Sequence, residues 1–180
     1  MQHQDHVTLI RQGIAAPGGT WADLGSGGGA FTLALADLLG PTARIYSVDR
    51  DARVLQEQAR AMRTHFPGAA VEYLAADFAS KLNLPPLDGI LMANSLHFVR
   101  RKGAVLDQLY SYLRPAGRLL LVEYNADRGN MWVPYPLAYP TWEQLAQQHG
   151  FSQTRLLATI PSRFLREMYA ALSIKAVNES

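Results

Sequence analysis

The chain has 180 residues, 48% of them hydrophobic, with a net charge of +2 and no cysteine. That length suits one domain, residues 1–180, with a sizeable core. The absence of cysteine excludes a disulfide scaffold and a thiolate metal site, so no metal is expected. No apolar run reaches the roughly 20 residues that cross a bilayer, and "MQHQDHV" lacks the regions of a secretory signal. The basic residues are scattered apart from "VRRK" at Val99 to Lys102, which reads as a solvated helix start. A nucleic-acid footprint needs a basic stripe, so the composition argues against that partner. The expectation is a soluble cytoplasmic protein.

In chain order, residues 1–19 form a leader carrying the helical segment "HVTLIRQGI". The apolar stretch Thr20 to Gly25 predicts a first strand, followed by the glycine-rich turn "GSGGG" and a helix with Phe31, Leu35 and Leu38 on one face. Arg44 to Asp49 predicts a second strand. The next helix puts Leu55, Ala59, Met62 and Phe66 on one face, with Asp51 as cap and Pro67-Gly68 as stop. Val71 to Asp77 and Gly89 to Asn94 predict two more strands. A helix bearing Val105, Leu109, Tyr112 and Leu113 is halted by "RPAG", before a fifth strand from Arg118 to Tyr124.

The loop from Asn125 to Pro140 is stiff and aromatic, with Trp132, Tyr135, Tyr139 and three prolines. A helix then begins with Thr141 and Gln144 in capping-box spacing and ends at Gly150. "QTRLLATI" and "REMYAALSIK" predict a closing antiparallel hairpin at the sheet edge. Strands alternating with helices make this an α/β fold, with a mostly parallel sheet covered on both faces. The near-continuous apolar runs of several strands agree with burial on both faces.

In such sheets ligands bind beyond the carboxyl ends of the strands, and there the residues with chemistry fall. The glycine turn follows the first strand, Asp49 ends the second, Asp77 the third and Asn94 the fourth. Two cofactor classes compete for this edge. Gly25, Gly27 and Ala30 fit the spacing of a dinucleotide fingerprint, with Asp49 placed for ribose hydroxyls. A pyrophosphate, however, is poorly served by the carboxylate of Asp23 two residues before the first glycine. That carboxylate suits a ligand with a cationic ammonium, as S-adenosylmethionine has.

At this point the chain resembles the class I S-adenosylmethionine-dependent methyltransferases of small-molecule type. The resemblance rests on "DLGSGGG", "VDRD", "ADF", "DGILMANSLHFV" and "LRPAGRLLLVEY", in that order, from about Trp21 to Tyr124 and more loosely beyond. It implies a Rossmann-like three-layer fold with seven strands, the last inserted antiparallel. It assigns Asp23 and the turn of Gly25, Ser26, Gly27 and Gly29 to the methionine moiety, and Asp49 to the two ribose hydroxyls. Arg50 falls beside the adenine, Asp77 on its amino group and Phe78 along its ring. Asn94 and Ser95 border the methionine end and the reacting methyl.

Plainer roles stand beside these: Asp77 as the cap of a turn, Phe78 as a core aromatic, Asp23 as a satisfied buried carboxylate. His97 is either a base or acceptor contact or a histidine packed at a helix start. The expected activity is methyl transfer to a small-molecule acceptor by in-line displacement, leaving S-adenosylhomocysteine. "NSLH" stands where the amide- and amine-directed branch carries N/D-P-P-Y/F, so the chain looks more like the small-molecule and quinone-type members.

The loop 125–140 is a candidate acceptor wall, or else it folds its aromatics onto the sheet edge. So small a cover suggests an exposed acceptor or a second subunit completing the site, which leaves a homodimer open. The alternatives are a methyltransferase of RNA or protein, which a basic patch beside the cleft would favour, a non-catalytic S-adenosylmethionine-binding module, and a dinucleotide enzyme.

Overall fold

The buried, nearly unbroken apolar runs of the sequence become the centre of one twisted sheet. In the computed structural model, which describes residues 1–177, α1 (His3–Arg11) precedes β1 (Thr20–Leu24), α2 (Ala30–Leu39) and β2 (Arg44–Asp49). There follow α3 (Ala52–His65), β3 (Ala70–Ala75), β4 (Leu87–Ala93), a 3-10 turn (Leu96–Phe98), α4 (Gly103–Tyr112) and β5 (Leu113–Tyr124). The chain closes with α5 (Tyr139–Gln148), β6 (Phe151–Pro161) and β7 (Glu167–Lys175).

Seven strands form one sheet in the order β3-β2-β1-β4-β5-β7-β6. All pairings are parallel except those of β7, which runs antiparallel to both β5 and β6. The fold class expected from the sequence therefore holds: a three-layer, Rossmann-like α/β sheet with an antiparallel strand near its C-terminal edge. Helices α1, α2 and α3 cover one face, with Ile10, Leu35 and Met62 packed in the cluster that holds Ile45, Leu91 and Leu120. Helices α4 and α5 cover the other, where Leu106, Leu109 and Trp142 meet Met92, Leu121 and Tyr169.

Several boundaries differ from the sequence reading, each for a local reason. β3 stops at Ala75 because Ala76 turns its N–H onto the Asp49 carbonyl and the Asp77 carboxylate accepts from the N–H of Ala79 at 2.9 Å. Asp77 thus lies just past the strand. Leu113 belongs to β5 and pairs with Leu87; the register then shifts across Pro115 and Ala116, the latter at φ 60°, before Arg118 pairs with Gly89.

The Thr141 capping box does not form. α5 starts at Tyr139, where Pro140 in its first turn fixes a helical φ. The unpaired N–H groups of Ala138 and Tyr139 are taken by Asp127 and Asn125, which reach over from the preceding loop at 3.0 Å.

Strand order reverses between β1 and β4, which lie side by side although β2 and β3 separate them in sequence. Two loops leaving in opposite directions open a crevice at that point, and the candidate site residues gather there.

Candidate functional site

A cleft of about 410 Å³ lies at the carboxyl ends of β1, β2 and β4, within the range of small-molecule sites. Its wall includes eight residues named from the sequence: Gly25, Gly27, Asp49, Arg50, Asp77, Phe78, Asn94 and Ser95. Ala79, Phe98 and Val99 complete it. The last two were missed because their direction depends on the 3-10 turn after β4, which has no period to read.

The glycine turn is built by close approach. Gly25 has φ +76°, and a Cβ there would lie 2.5 Å from the Cβ of Ser95, so neither the conformation nor the space admits a side chain. Ser95 is buried and donates its hydroxyl to the Leu24 carbonyl at 2.8 Å, which locks the β4 exit against the β1 exit. A Cβ on Gly27 or Gly28 would meet open space, so this part of the backbone stands free toward a ligand.

Asp49 is held in the cleft by two backbone donors, Gly27 N–H to Oδ2 at 2.8 Å and Asp51 N–H to Oδ1 at 2.9 Å. Each carboxylate oxygen keeps further acceptor capacity. Asp77 both caps its turn and lines the cleft, so capping does not take it out of the candidate site. Phe78 likewise packs on the core while lining the cleft. Asn94 adopts φ 53°, a left-handed conformation uncommon outside glycine, and its buried Oδ1 has no hydrogen-bond partner.

Four of the named residues, Asp23, Ser26, Gly29 and His97, are not part of the wall. Ser26 accepts from Ser47 and from Gln58 Nε2, both at 2.8 Å. Gln58 also donates to the Gly27 carbonyl at 2.6 Å, and its side chain fills the space a Cβ on Gly29 would need. This buried glutamine on α3 therefore braces the turn. It was missed because one polar residue on a polar helix carries no signal of burial.

Asp23 is buried under the turn. Its Oδ2 accepts from the Thr32 hydroxyl at 2.6 Å, and its Oδ1 has no partner. Burial pushes its carboxyl up to about 7, against the hydrogen bond from Thr32, with the Asp49 charge adding to the rise.

His97 is buried within the 3-10 turn, and its ring packs on Phe98 and edge-on to Tyr124. Its Nδ1 meets both oxygens of the fully buried Glu123, at 2.9 and 3.1 Å. Glu123 also accepts from the backbone N–H groups of His97 and Tyr124, at 3.0 and 2.8 Å. A carboxylate here can only accept, so Nδ1 carries a proton. Glu123 sits in the apolar run "LLLVEY", and no local pattern pairs it with His97.

The residues present fit an S-adenosyl ligand: open space over Gly27 and Gly28, a braced carboxylate at Asp49, and unpartnered oxygens on Asp23 and Asn94. Among the described residues no cluster suited to a metal occurs, and no helix is long and apolar enough to cross a membrane.

Comparison with known proteins agrees. A family model described as a methyltransferase domain matches residues 16–163. The ubiquinone/menaquinone biosynthesis C-methyltransferase UbiE of Hahella chejuensis is 30% identical over 120 residues, 66% of this chain and 47% of that protein. The chain spans about half the length of the curated relatives it matches.

Among solved structures, an S-adenosylmethionine-dependent methyltransferase from Aquifex aeolicus superposes with a TM-score of 0.72 at 18% identity, covering 94% of this chain and 89% of that one. Phosphoethanolamine N-methyltransferase 2 of Haemonchus contortus, solved with phosphomonomethylethanolamine and S-adenosylhomocysteine, gives 0.76 at 15% identity, covering 97% and 52%. At these identities the structures speak to the fold alone. With the family model covering most of its length, the chain belongs to the methyltransferase-domain family and has the class I, Rossmann-like architecture.

Proposed function

We propose that the chain is an S-adenosylmethionine-dependent methyltransferase acting on a small-molecule acceptor. The observation that carries this reading is the convergence, in one cleft at the strand-order reversal, of Gly25, Gly27, Asp49, Asp77, Phe78, Asn94 and Ser95. When bound, S-adenosylmethionine supplies a methyl group already activated on a sulfonium.

Within that reading the chain's residues have distinct tasks. Asp49 takes the ribose hydroxyls, and its two backbone donors keep it in place for them. Charge-assisted hydrogen bonds of about 1.5–3 kcal/mol each make it the main anchor. Arg50, Asp77 and Phe78 border the adenine. The Gly25 to Gly29 turn carries the methionine end, over the buried carboxylate of Asp23, and Asn94 and Ser95 flank the reacting methyl. Holding donor and acceptor in line is the larger part of such catalysis, because alignment alone can supply several kcal/mol.

His97 is the candidate base or acceptor contact. Glu123 holds its ring through Nδ1, so Nε2 is the nitrogen left to act as a base. The ring lies behind Phe98 and Val99 rather than in the cleft wall, so an acceptor must reach it past Phe98. A screen of metabolite extracts with methyl-labelled donor tests the function. Label transferred to a small molecule supports it, and label found only on protein or RNA contradicts it.

A further inference from the structure

The basic residues look scattered in the sequence, yet the fold brings some of them to one edge of the sheet, the carboxyl edge at which the cleft opens. Of the eight large hydrophobic side chains exposed among the described residues, five sit in loops at the carboxyl edge of the sheet: Phe98, Met131, Trp132, Tyr135 and Phe164. Trp132 is 67% exposed, Met131 83% and Phe164 58%.

These loops are tied into one rim. Tyr135 donates its N–H to the His97 carbonyl at 3.0 Å, Asn130 donates to the Phe164 carbonyl at 3.4 Å, and Phe164 packs edge-on to Tyr124. Phe98 joins the rim to the cleft, whose wall it also forms.

The same loops carry Arg100, Arg101, Arg128, Arg163 and Arg166, all exposed and none in a salt bridge among the described residues. Asp127 is the exposed acid among them, and its carboxylate is occupied by the Ala138 N–H. Large apolar tips ringed by unpaired arginines combine two attractions that a bilayer with anionic headgroups offers together. Single-stranded nucleic acid would also answer the charge, but it is held by stacking on ring faces. The other four tips do carry rings, but the arginines sit on three separate loops rather than along one continuous stripe, and Met131, the most exposed tip, has no ring.

We propose that this rim is a membrane-docking surface, which seats the chain on an anionic bilayer with the cleft facing the lipid. The rim's chemistry then gives the acceptor's class: an apolar molecule dissolved in the bilayer, entering past Phe98. That last step rests on the methyl-transfer reading; the docking does not.

The protein carries its own reporter. Of its three tryptophans, Trp21 and Trp142 are buried and Trp132 is exposed on the rim. The test is tryptophan emission and co-sedimentation with vesicles of phosphatidylcholine alone or mixed with phosphatidylglycerol, with S-adenosylhomocysteine binding measured calorimetrically on the same preparation. The expected result is a blue shift and sedimentation with the mixed vesicles only, reversed by salt. Arg163→Gln with Arg166→Gln should weaken vesicle binding by about thirtyfold, at roughly fivefold for each arginine, with S-adenosylhomocysteine affinity unchanged.

Failure to bind the mixed vesicles, equal binding to neutral ones, or a rim buried in a self-associated dimer would each overturn the proposal. Retention on RNA with the vesicles bare would do the same. Because cofactor binding is read separately, loss of docking with cofactor binding intact leaves the methyltransferase reading standing, and the converse is equally distinguishable.

Discussion

Gly27 donates its backbone N–H to Asp49 Oδ2 at 2.8 Å, so the glycine turn after β1 and the acid at the end of β2 form one unit. Replacing Asp49 removes a brace of the turn and, on the proposed reading, a ligand acceptor. Asp49→Ala should lower affinity for S-adenosylhomocysteine at least about tenfold, the loss of one or more charge-assisted hydrogen bonds. Calorimetric titration checks it, and unchanged affinity would remove Asp49 from the site.

Asp23 makes stability and cofactor binding respond to pH in opposite directions. Its carboxyl is raised from 3.8 to about 7 by burial, so the folded chain holds a proton that the unfolded chain releases. The stabilisation from this group is full below 3.8 and is lost as pH rises through about 7. Asp23→Asn keeps an acceptor for the Thr32 hydroxyl and removes the charge. It should raise the melting temperature relative to wild type, and by more at about pH 8 than at about pH 5. An equal gain at both would contradict the assignment.

A cationic ligand over the turn favours the ionised form of Asp23. Affinity for S-adenosylhomocysteine should therefore fall as pH drops below about 7 in the wild type, and Asp23→Asn should lose that dependence. Titrations at the two ends of the range measure it.

Gln58 braces the turn from α3 through Ser26 and the Gly27 carbonyl. Gln58→Ala leaves buried polar groups unpaired and should cost about 1–3 kcal/mol of stability, read from denaturant unfolding. It should also weaken S-adenosylhomocysteine binding, because Gly27 loses its support. Stability lost without any change in binding would mean that the turn is preformed without this brace.

Glu123 satisfies His97 Nδ1 and two backbone N–H groups while fully buried. Glu123→Ala strands all three and should destabilise the chain by about 3–5 kcal/mol, as when one partner of a buried pair is removed. Glu123→Gln retains one acceptor oxygen and should cost less. If His97 takes the acceptor's proton, Glu123→Gln also lowers turnover with S-adenosylhomocysteine affinity unchanged.

The sheet and most of the cleft's lining were legible because each rests on local signals. Apolar runs marked the strands, and the acids and glycines fell at their ends. What stayed hidden depends on partners distant in sequence. Gln58 reads as helix surface until β2 brings Ser47 beside it, and Glu123 reads as a strand residue until the turn after β4 swings His97 over it. The start of α5 was misplaced because its capping groups, Asn125 and Asp127, reach back from a loop with no periodicity. The arginine rim was only partly visible: Arg100 and Arg101 stood out as "VRRK", but their place on one edge with Arg128, Arg163 and Arg166 appears only in the folded sheet.

The central claim, that the cleft at the β1–β4 reversal holds an S-adenosyl ligand, is tested most directly by calorimetric titration of the purified chain with S-adenosylhomocysteine and, in parallel, with NAD. The expected result is saturable binding of S-adenosylhomocysteine at one site per chain, lost or weakened in Asp49→Ala, with no heat from NAD. Binding of NAD with no response to S-adenosylhomocysteine would contradict it.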